Sequence, residues 1–99
     1  MHQLFVPTLT LGTAPITTHA WSGDGRKLAV SHNNKEVKVY KEGNKKWEQT
    51  AILDQHDLRV TGIDWAPKTN RIVTCSADRN AYVWNLEEVS SDYIQRLAP

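Results

Sequence analysis

Three residues in the second half of the chain have side chains of the types that form a hydrolytic triad: His56, Thr74 and Asp78. In such a triad the histidine takes the proton of the hydroxyl nucleophile, and the carboxylate orients the ring. The sequence argues against this chemistry, because Thr74 lies in the middle of a β-branched stretch without a nucleophile elbow or an oxyanion loop. We therefore expect Asp78 to hold a turn, and the chain is predicted not to be an enzyme.

The only cysteine, Cys75, raises a second chemical alternative, a thiol nucleophile paired with His56. A lone cysteine beside Val73 and Thr74 in a strand is more often an inert core residue, and we predict that role. Because a single cysteine cannot form an internal disulfide, a reducing cytosol is the expected compartment.

Metal and cofactor chemistry find little support. The four histidines lie at positions 2, 19, 32 and 56, and no pair of them has the spacing of metal ligands. The stretch GDGRK (23–27) has the glycines of a phosphate-binding loop but lacks the full GxxxxGK[ST] pattern, so it is interpreted as a hairpin turn. The sequence thus predicts no metal site and no cofactor.

The elements that position these residues follow from an internal repeat. Residues 16–40 align with residues 60–84 without a gap, at an offset of 44 residues. This alignment places Trp21 on Trp65, and we interpret both as packing residues at strand ends rather than as platforms that stack a ligand. A period of about 40–45 residues with short strands is typical of propeller blades, each of which is a four-stranded sheet.

The local patterns agree with β-strands. VTGIDW (60–65) alternates as a strand does, and RIVTCS (71–76) has the composition of a buried strand. AYVWNL (81–86) forms the next strand, and WEQTAIL (47–53) forms the outer strand of the first unit. No convincing helix precedes residue 86, so the predicted fold class is all-β.

The residues of these strands resemble a known family. His56 followed by VTGIDWAP and RIVTCSADRNAYVW matches the WD-repeat pattern of β-propellers, although the closing dipeptide is Trp84-Asn85. The phrases ITTHAWS, NNKEVKVY, GIDWAP and DRNAYVW resemble the first two repeats of the propeller subunit, subunit 1, of the actin-related protein 2/3 complex. The resemblance covers residues 2–85 and implies WD-repeat blades, about two of seven, in an incomplete propeller with a divergent tail.

The resemblance also implies a structural role for four side chains. In WD repeats a histidine, a strand hydroxyl, a turn aspartate and a tryptophan form one hydrogen-bonded chain, and the matching residues here are His56, Thr74, Asp78 and Trp84. Each of these groups requires a partner when it is buried, and a linked set satisfies all four. We therefore predict a structural hydrogen-bond network.

The first repeat lacks this network, because the matching positions carry glycine, valine, asparagine and tyrosine at 12, 30, 34 and 40. The first blade is expected to depend instead on apolar packing. The residues predicted to supply that packing are Trp21, Leu28, Val30, Val37 and Val39.

The family that the chain resembles is a non-enzymatic scaffold in the complex that nucleates branched actin filaments. The resemblance implies contacts with other subunits and, through the complex, with the actin filament and nucleation-promoting factors, in the cytoplasm and the actin cytoskeleton. The long insert that reaches toward actin in that family belongs to a later blade and is absent here. The alternative is a generic WD-repeat interaction module or a nonfunctional truncated product, which the foreign tail after Leu86 favours.

Charge and hydropathy exclude other partners. Lysine and arginine number 12 and aspartate and glutamate 11, so the net charge of +1 does not indicate a nucleic-acid binder. The lysine-rich stretch 35–46 is interpreted as a solvated face, with a basic contact surface as the alternative. No apolar run approaches the roughly 20 residues of a membrane span, and no signal peptide is predicted.

We divide the chain into four parts. Residues 1–15 form an N-terminal segment that could supply a closing outer strand, and residues 16–53 form the first blade. Residues 54–85 form a second blade without its outer strand, and residues 86–99 form a disordered or short helical tail. Because seven blades cannot be built from two repeats, we expect a fragment or truncated product. Because two blades leave open sheet edges, we expect the isolated chain to be marginally stable or self-associating.

Overall fold

A computed structural model of the chain describes residues 10–12 and 14–86 and, for the backbone only, residues 95–98. The first sheet contains β1 (Thr18–Trp21), β2 (Lys27–Ser31), β3 (Val37–Glu42) and β4 (Trp47–Leu53). The second sheet contains β5 (Val60–Trp65), β6 (Arg71–Ser76), β7 (Ala81–Asn85) and β8 (Gln95–Ala98). In each sheet the strands pair antiparallel in chain order, and the described residues contain no helix. The predicted all-β fold class is confirmed.

Strand bounds follow the sequence patterns closely. The structure places β4, β5 and β6 at the predicted residues, and β7 ends one residue before the predicted end. The prediction that β6 is buried is wrong in part, because only Ile72, Thr74 and Ser76 are buried and the residues between them are exposed. Side chains alternate between the two faces of a strand, and only one face of this sheet is covered.

The second sheet has a fourth strand that the sequence did not predict. Strand β8 pairs with β7, with Asn85 opposite Gln95 and Val83 opposite Ala98. The prediction that the second blade lacks its outer strand is therefore wrong, as is the prediction of a tail that is only disordered or helical. The physical reason is that β8 satisfies backbone groups that β7 would otherwise leave unpaired at a sheet edge.

Other parts of the predicted division are not tested. The N-terminal segment lies largely outside the described residues, and its described residues 10–12, 14 and 15 form no strand. Residues 87–94 and 99 of the tail also lie outside the described residues. The bounds of the four parts remain predictions.

The two sheets pack face to face and share one apolar core. Strands β1 and β2 lie against β5, and the backbone N–H of Val60 donates to the carbonyl of Asn34 at 2.8 Å. The first sheet contributes alanines and aliphatic residues, and the second contributes all the buried aromatic residues together with aliphatic ones. The buried members of the core are Ala29, Val37, Val39, Ala51, Leu53, Val60, Trp65, Ile72, Tyr82, Trp84 and Leu86.

A second apolar cluster lies on the opposite face of the first sheet. It contains Leu28, Val30 and Tyr40, and Leu11 and Trp47 pack against it. The predicted packing role is thus confirmed for the leucine and the valines of the first blade. Trp21 is 46% exposed, so its packing is less complete than predicted.

The hairpin turns of the two sheets meet at one end of the molecule. The β1–β2 turn contains Gly23, and a Cβ atom added there would overlap the carbonyl oxygen of Pro67 in the β5–β6 turn. A side chain at position 23 is therefore incompatible with the observed approach of the two turns. The predicted hairpin turn over GDGRK is confirmed, with Gly25 at φ 73° and Asp24 accepting from the Arg26 amide at 3.0 Å.

Candidate functional site

The four predicted network residues come from four different elements of the second sheet. His56 lies in the loop before β5, Thr74 in the middle of β6, Asp78 in the β6–β7 turn and Trp84 near the end of β7. Thr74 and Trp84 point to the covered face of the sheet, where both are buried. The loop returns His56 to the same region, so residues separated by 28 positions in the sequence become neighbours.

The structure joins these side chains in one chain of hydrogen bonds. The indole N–H of Trp84 donates to Thr74 Oγ1 at 2.9 Å, and Thr74 Oγ1 lies 2.8 Å from Nε2 of His56. Nδ1 of His56 lies 3.1 Å from Oδ2 of Asp78. Because an indole can only donate, the threonine hydroxyl is free to donate its own proton to Nε2. His56 then carries its proton on Nδ1 and donates it to Asp78.

Asp78 ends the chain as an acceptor. Its carboxylate also accepts from the backbone amides of Asp57 and Asn80, each at 2.8 Å. Burial alone would raise the pKa of Asp78, but the hydrogen bonds from Asp57, Asn80 and His56 outweigh it and lower the pKa from 3.8 to about 2. The carboxylate therefore stays ionised over the physiological range.

The order Asp78, His56, Thr74 reproduces the connectivity of a hydrolytic triad, yet the site is closed. Thr74 is fully buried and His56 is 2% exposed, so a substrate carbonyl cannot reach the hydroxyl oxygen. The indole N–H of Trp84 already donates a hydrogen bond to that oxygen. This arrangement satisfies four buried polar groups and offers no reacting atom to solvent.

Cys75 lies on the opposite face of β6 from Thr74 and is exposed. The prediction that Cys75 is a core residue is therefore wrong, because adjacent positions in a strand point to opposite faces. The same alternation separates its thiol from His56, which lies on the covered face with Thr74. A thiol and imidazole pair does not form.

Sequence reasoning missed two residues that support the network. Ser76 is buried, donates from Oγ to the carbonyl of Leu58 at 2.9 Å and accepts from the amide of Asp78 at 3.1 Å. The ring of Tyr82 lies 4.5 Å from that of His56. The serine two residues before Asp78 is a recognisable turn signal, whereas nothing in the sequence indicates the ring contact.

The first blade keeps only the turn residue of this set. Oδ1 of Asn34 accepts from the amide of Glu36 at 3.2 Å, as Asp78 accepts from Asn80 two residues on. Val30 and Tyr40 are buried in the apolar cluster, and the position that matches His56 is Gly12. The described residues therefore contain one complete network, in the second blade.

The sequence also singled out the tryptophans at strand ends and the lysine-rich stretch. Trp21 and Trp47 form an edge-to-face pair with ring centres 5.7 Å apart, and Trp65 is buried in the core as predicted. Lys35, Lys41, Lys45 and Lys46 are exposed, and no ion pair to them is found within the described part of the chain. Whether they form a solvated face or a contact surface stays a prediction.

A search of the described residues finds no group of three or more His, Cys, Asp or Glu side chains arranged to hold a metal ion. The described part of the chain also contains no helix long and apolar enough to cross a membrane.

Comparison with known proteins agrees with this geometry. Residues 47–85, which include all four network residues, match the family of the WD domain, G-beta repeat. The matched segment is therefore a WD repeat, and the two antiparallel four-stranded sheets have the strand order expected of β-propeller blades.

Within that class the chain is similar to one particular subunit. It is 53% identical over 74 residues to actin-related protein 2/3 complex subunit 1A-B of Xenopus laevis and 52% identical over 73 residues to subunit 1A of Arabidopsis thaliana. It is 40% identical over 70 residues to subunit 1 of Schizosaccharomyces pombe. The alignments cover 75%, 73% and 71% of this chain but only 20%, 19% and 19% of the relatives. The resemblance predicted from the sequence is confirmed, over about a fifth of the length of these relatives.

Proposed function

We propose that the chain is a non-catalytic scaffold subunit of the actin-related protein 2/3 complex, or a fragment of that subunit. In this role it supports the nucleation of branched actin filaments as part of the complex. The observation that supports the proposal is the 53% identity to the Xenopus subunit over three-quarters of this chain. Fold alone would not fix a ligand, because propellers have many unrelated functions.

The closed network supports a non-catalytic role. The side chains that could form a triad are engaged with one another and with backbone amides, and both the hydroxyl and the imidazole are buried. A site that acts on a substrate needs a reacting atom within reach of that substrate. The described residues therefore favour a chain that works through its surfaces.

The proposed partners are the other subunits of the complex. The actin filament and nucleation-promoting factors are proposed as partners through the complex rather than through this chain directly. The proposed location is the cytoplasm, at the actin cytoskeleton. Neither nucleic acid nor a membrane is proposed as a partner.

The alternative is a generic WD-repeat interaction module, or a nonfunctional truncated product, without a role in actin assembly. The observation that favours it is that the chain spans only about a fifth of its relatives.

The proposal is tested by affinity purification of the tagged chain from cytosol at moderate salt, with a full-length relative as the positive control. Stoichiometric recovery of other subunits of the complex supports the scaffold role. Recovery of chaperones alone contradicts it and favours the truncated product. A variant with Lys45→Glu and Lys46→Glu tests the basic surface in the same assay, since selective loss of subunits would assign them to a contact.

A further inference from the structure

The two faces of each sheet differ in side-chain size, and the packing of the chain joins unlike faces. The covered face of the first sheet carries Ala29, Val37 and Val39 and is here named a small face. The covered face of the second sheet carries Trp65, Ile72, Tyr82 and Trp84 and is named a large face. The observed interface therefore seats a large face on a small face, with both sides almost fully buried.

The outer face of the second sheet is a second small face. Its β6 and β7 residues, Val73, Ala81 and Val83, match Ala29, Val37 and Val39 of the first sheet at the offset of 44 residues. Ala29 is fully buried, whereas Val73 is 37% exposed. No large face covers this second small face within the described part of the chain.

The outer face of the first sheet is correspondingly a second large face. Trp21 pairs with Leu28 across the strands, as Trp65 pairs with Ile72 in the second sheet. Leu11 packs against the cluster in the middle of this face. Trp21 nevertheless remains 46% exposed, whereas the matching Trp65 is 5% exposed beneath its small face.

A carboxylate and an imidazole occupy matching positions on the two open faces. Inside the chain β1 lies against β5, and Ala20 and Ile63 both pack on the shared core. The repeat places Asp64 at the position of Ala20 and His19 at the position of Ile63. Both residues are exposed, and the same docking geometry between two molecules would bring an acidic group on β5 to an imidazole on β1.

We propose that the outer small face of the second sheet docks the outer large face of the first sheet in a second copy of this chain. The copies associate head to tail through the same kind of interface that joins the two sheets inside one copy. Such an interface uses different patches on the two partners, so it leaves one free face of each type and can extend to rings or filaments. The proposal does not depend on the proposed scaffold function.

A two-variant mixing experiment tests the proposal under reducing conditions by analytical ultracentrifugation. Val73→Asp places a charge on the open small face and leaves the large face intact, while Trp21→Asp does the reverse. We expect the unmodified chain to associate as its concentration rises. Each variant alone should associate at least about tenfold more weakly. An equimolar mixture of the two variants should form one-to-one dimers, because one intact small face then meets one intact large face.

Control variants distinguish specific docking from nonspecific hydrophobic association and from misfolding. Leu58→Asp removes an apolar side chain that is 52% exposed in a loop outside both faces, and it should leave association unchanged. Ile52→Asp, on the large face and 38% exposed, replaces Trp21→Asp if circular dichroism shows that the tryptophan variant unfolds. Alkylation of Cys75 on the small face should slow as the unmodified chain associates and should stay fast in Trp21→Asp.

The equimolar mixture of the two variants is the sample that tests head-to-tail docking. Dimers in the mixture and monomers in each separate variant support head-to-tail docking. Monomers in all samples, or association of the unmodified chain that both variants leave unchanged, would overturn the proposal. An interface between identical faces would also overturn it, and it would appear as one variant that associates normally on its own.

Discussion

Thr74 is the residue on which the buried network depends, because its single hydroxyl accepts from Trp84 and lies 2.8 Å from the ring of His56. One oxygen thereby satisfies an indole N–H and an imidazole nitrogen that both lie away from water. Removing it leaves two buried polar groups without partners, which costs more than the loss of the hydrogen bonds alone.

Thr74→Val tests this dependence, since it keeps the shape of the side chain and removes the oxygen. We expect the free energy of unfolding to fall by about 2–4 kcal/mol, because two buried groups lose their partners. The measurement is urea denaturation followed by tryptophan fluorescence. Thr74→Ser is the matched control, and its loss of one methyl group should cost only about 1 kcal/mol. Equal losses for the two variants would contradict the network.

The pH dependence of stability tests Asp78. The pKa of its carboxyl is lowered from 3.8 to about 2 in the folded chain, so below pH 3.8 the unfolded chain binds more protons. The contribution of this group is therefore complete above that value and is lost as the pH falls toward 2. Asp78→Asn should remove this part of the acid sensitivity, as measured by thermal melting at a series of pH values.

Asp24 is the comparison residue for that experiment. Hydrogen bonds from the Arg26 amide and the Ser22 hydroxyl lower the pKa of its carboxyl too, but the group is exposed in a turn. Asp24→Asn should change the acid dependence less than Asp78→Asn does, because solvent screens the exposed group. A steeper effect of Asp24→Asn would contradict the assignment of the acid sensitivity to the network.

At the scale of elements, two turns carry backbone constraints that the strands do not. The β6–β7 turn places Arg79 at φ 72°, a left-handed conformation that side chains with a Cβ atom adopt at a cost. The β1–β2 turn places Gly23 where it touches the backbone of Pro67 in the other sheet. One constraint is local, and the other couples the two sheets.

Arg79→Gly should stabilise the chain by about 0.5–1 kcal/mol, because glycine adopts the left-handed conformation without the steric cost. Urea denaturation measures the gain, and Arg79→Ala is the control because alanine keeps the Cβ atom. A gain of the same size in both variants would show that loss of the charge, rather than relief of backbone strain, is responsible.

Gly23→Ala should destabilise the chain by about 1–3 kcal/mol, because the added methyl group forces the two turns apart. Gly62→Ala is the matched control, since a Cβ atom there meets no atom within 4 Å. Thermal melting compares the two variants. Similar melting temperatures would show that the contact between the turns does not hold the sheets together.

At the scale of the whole molecule, the chain has one covered interface and two faces that nothing in its described part fully covers. Repeat architectures gain stability from the interfaces between neighbouring units, and two units have only one such interface. Association that covers the outer faces therefore stabilises the folded form by mass action. The net charge of +1 opposes such association only weakly.

Thermal melting of the unmodified chain at several concentrations tests this expectation. We expect a broad transition whose midpoint rises with protein concentration, because the associated form lacks the exposed apolar faces of the monomer. Sedimentation at the same concentrations checks the state of association. A sharp, concentration-independent transition from a monomer would contradict both marginal stability and self-association.

The sequence by itself determined the repeat, most strand bounds and the identity of the network residues. The offset of 44 residues and the strand alternation are local or periodic patterns, and a buried indole, hydroxyl, imidazole and carboxylate have few ways to satisfy one another. His56, Thr74, Asp78 and Trp84 were indicated by the resemblance to WD repeats, whose pattern they match.

Only the tertiary structure decided which faces are covered. Alternation along β6 separates Thr74 from Cys75, but it does not say which of the two points to the neighbouring sheet. Trp21 and Trp65 occupy equivalent positions in the repeat, yet their exposure differs because a second sheet covers only one of them. Strand β8 likewise depends on a free edge of β7, which no local pattern in the tail encodes. Burial is a property of neighbours in space, and the order of residues along the chain specifies those neighbours only through the complete fold.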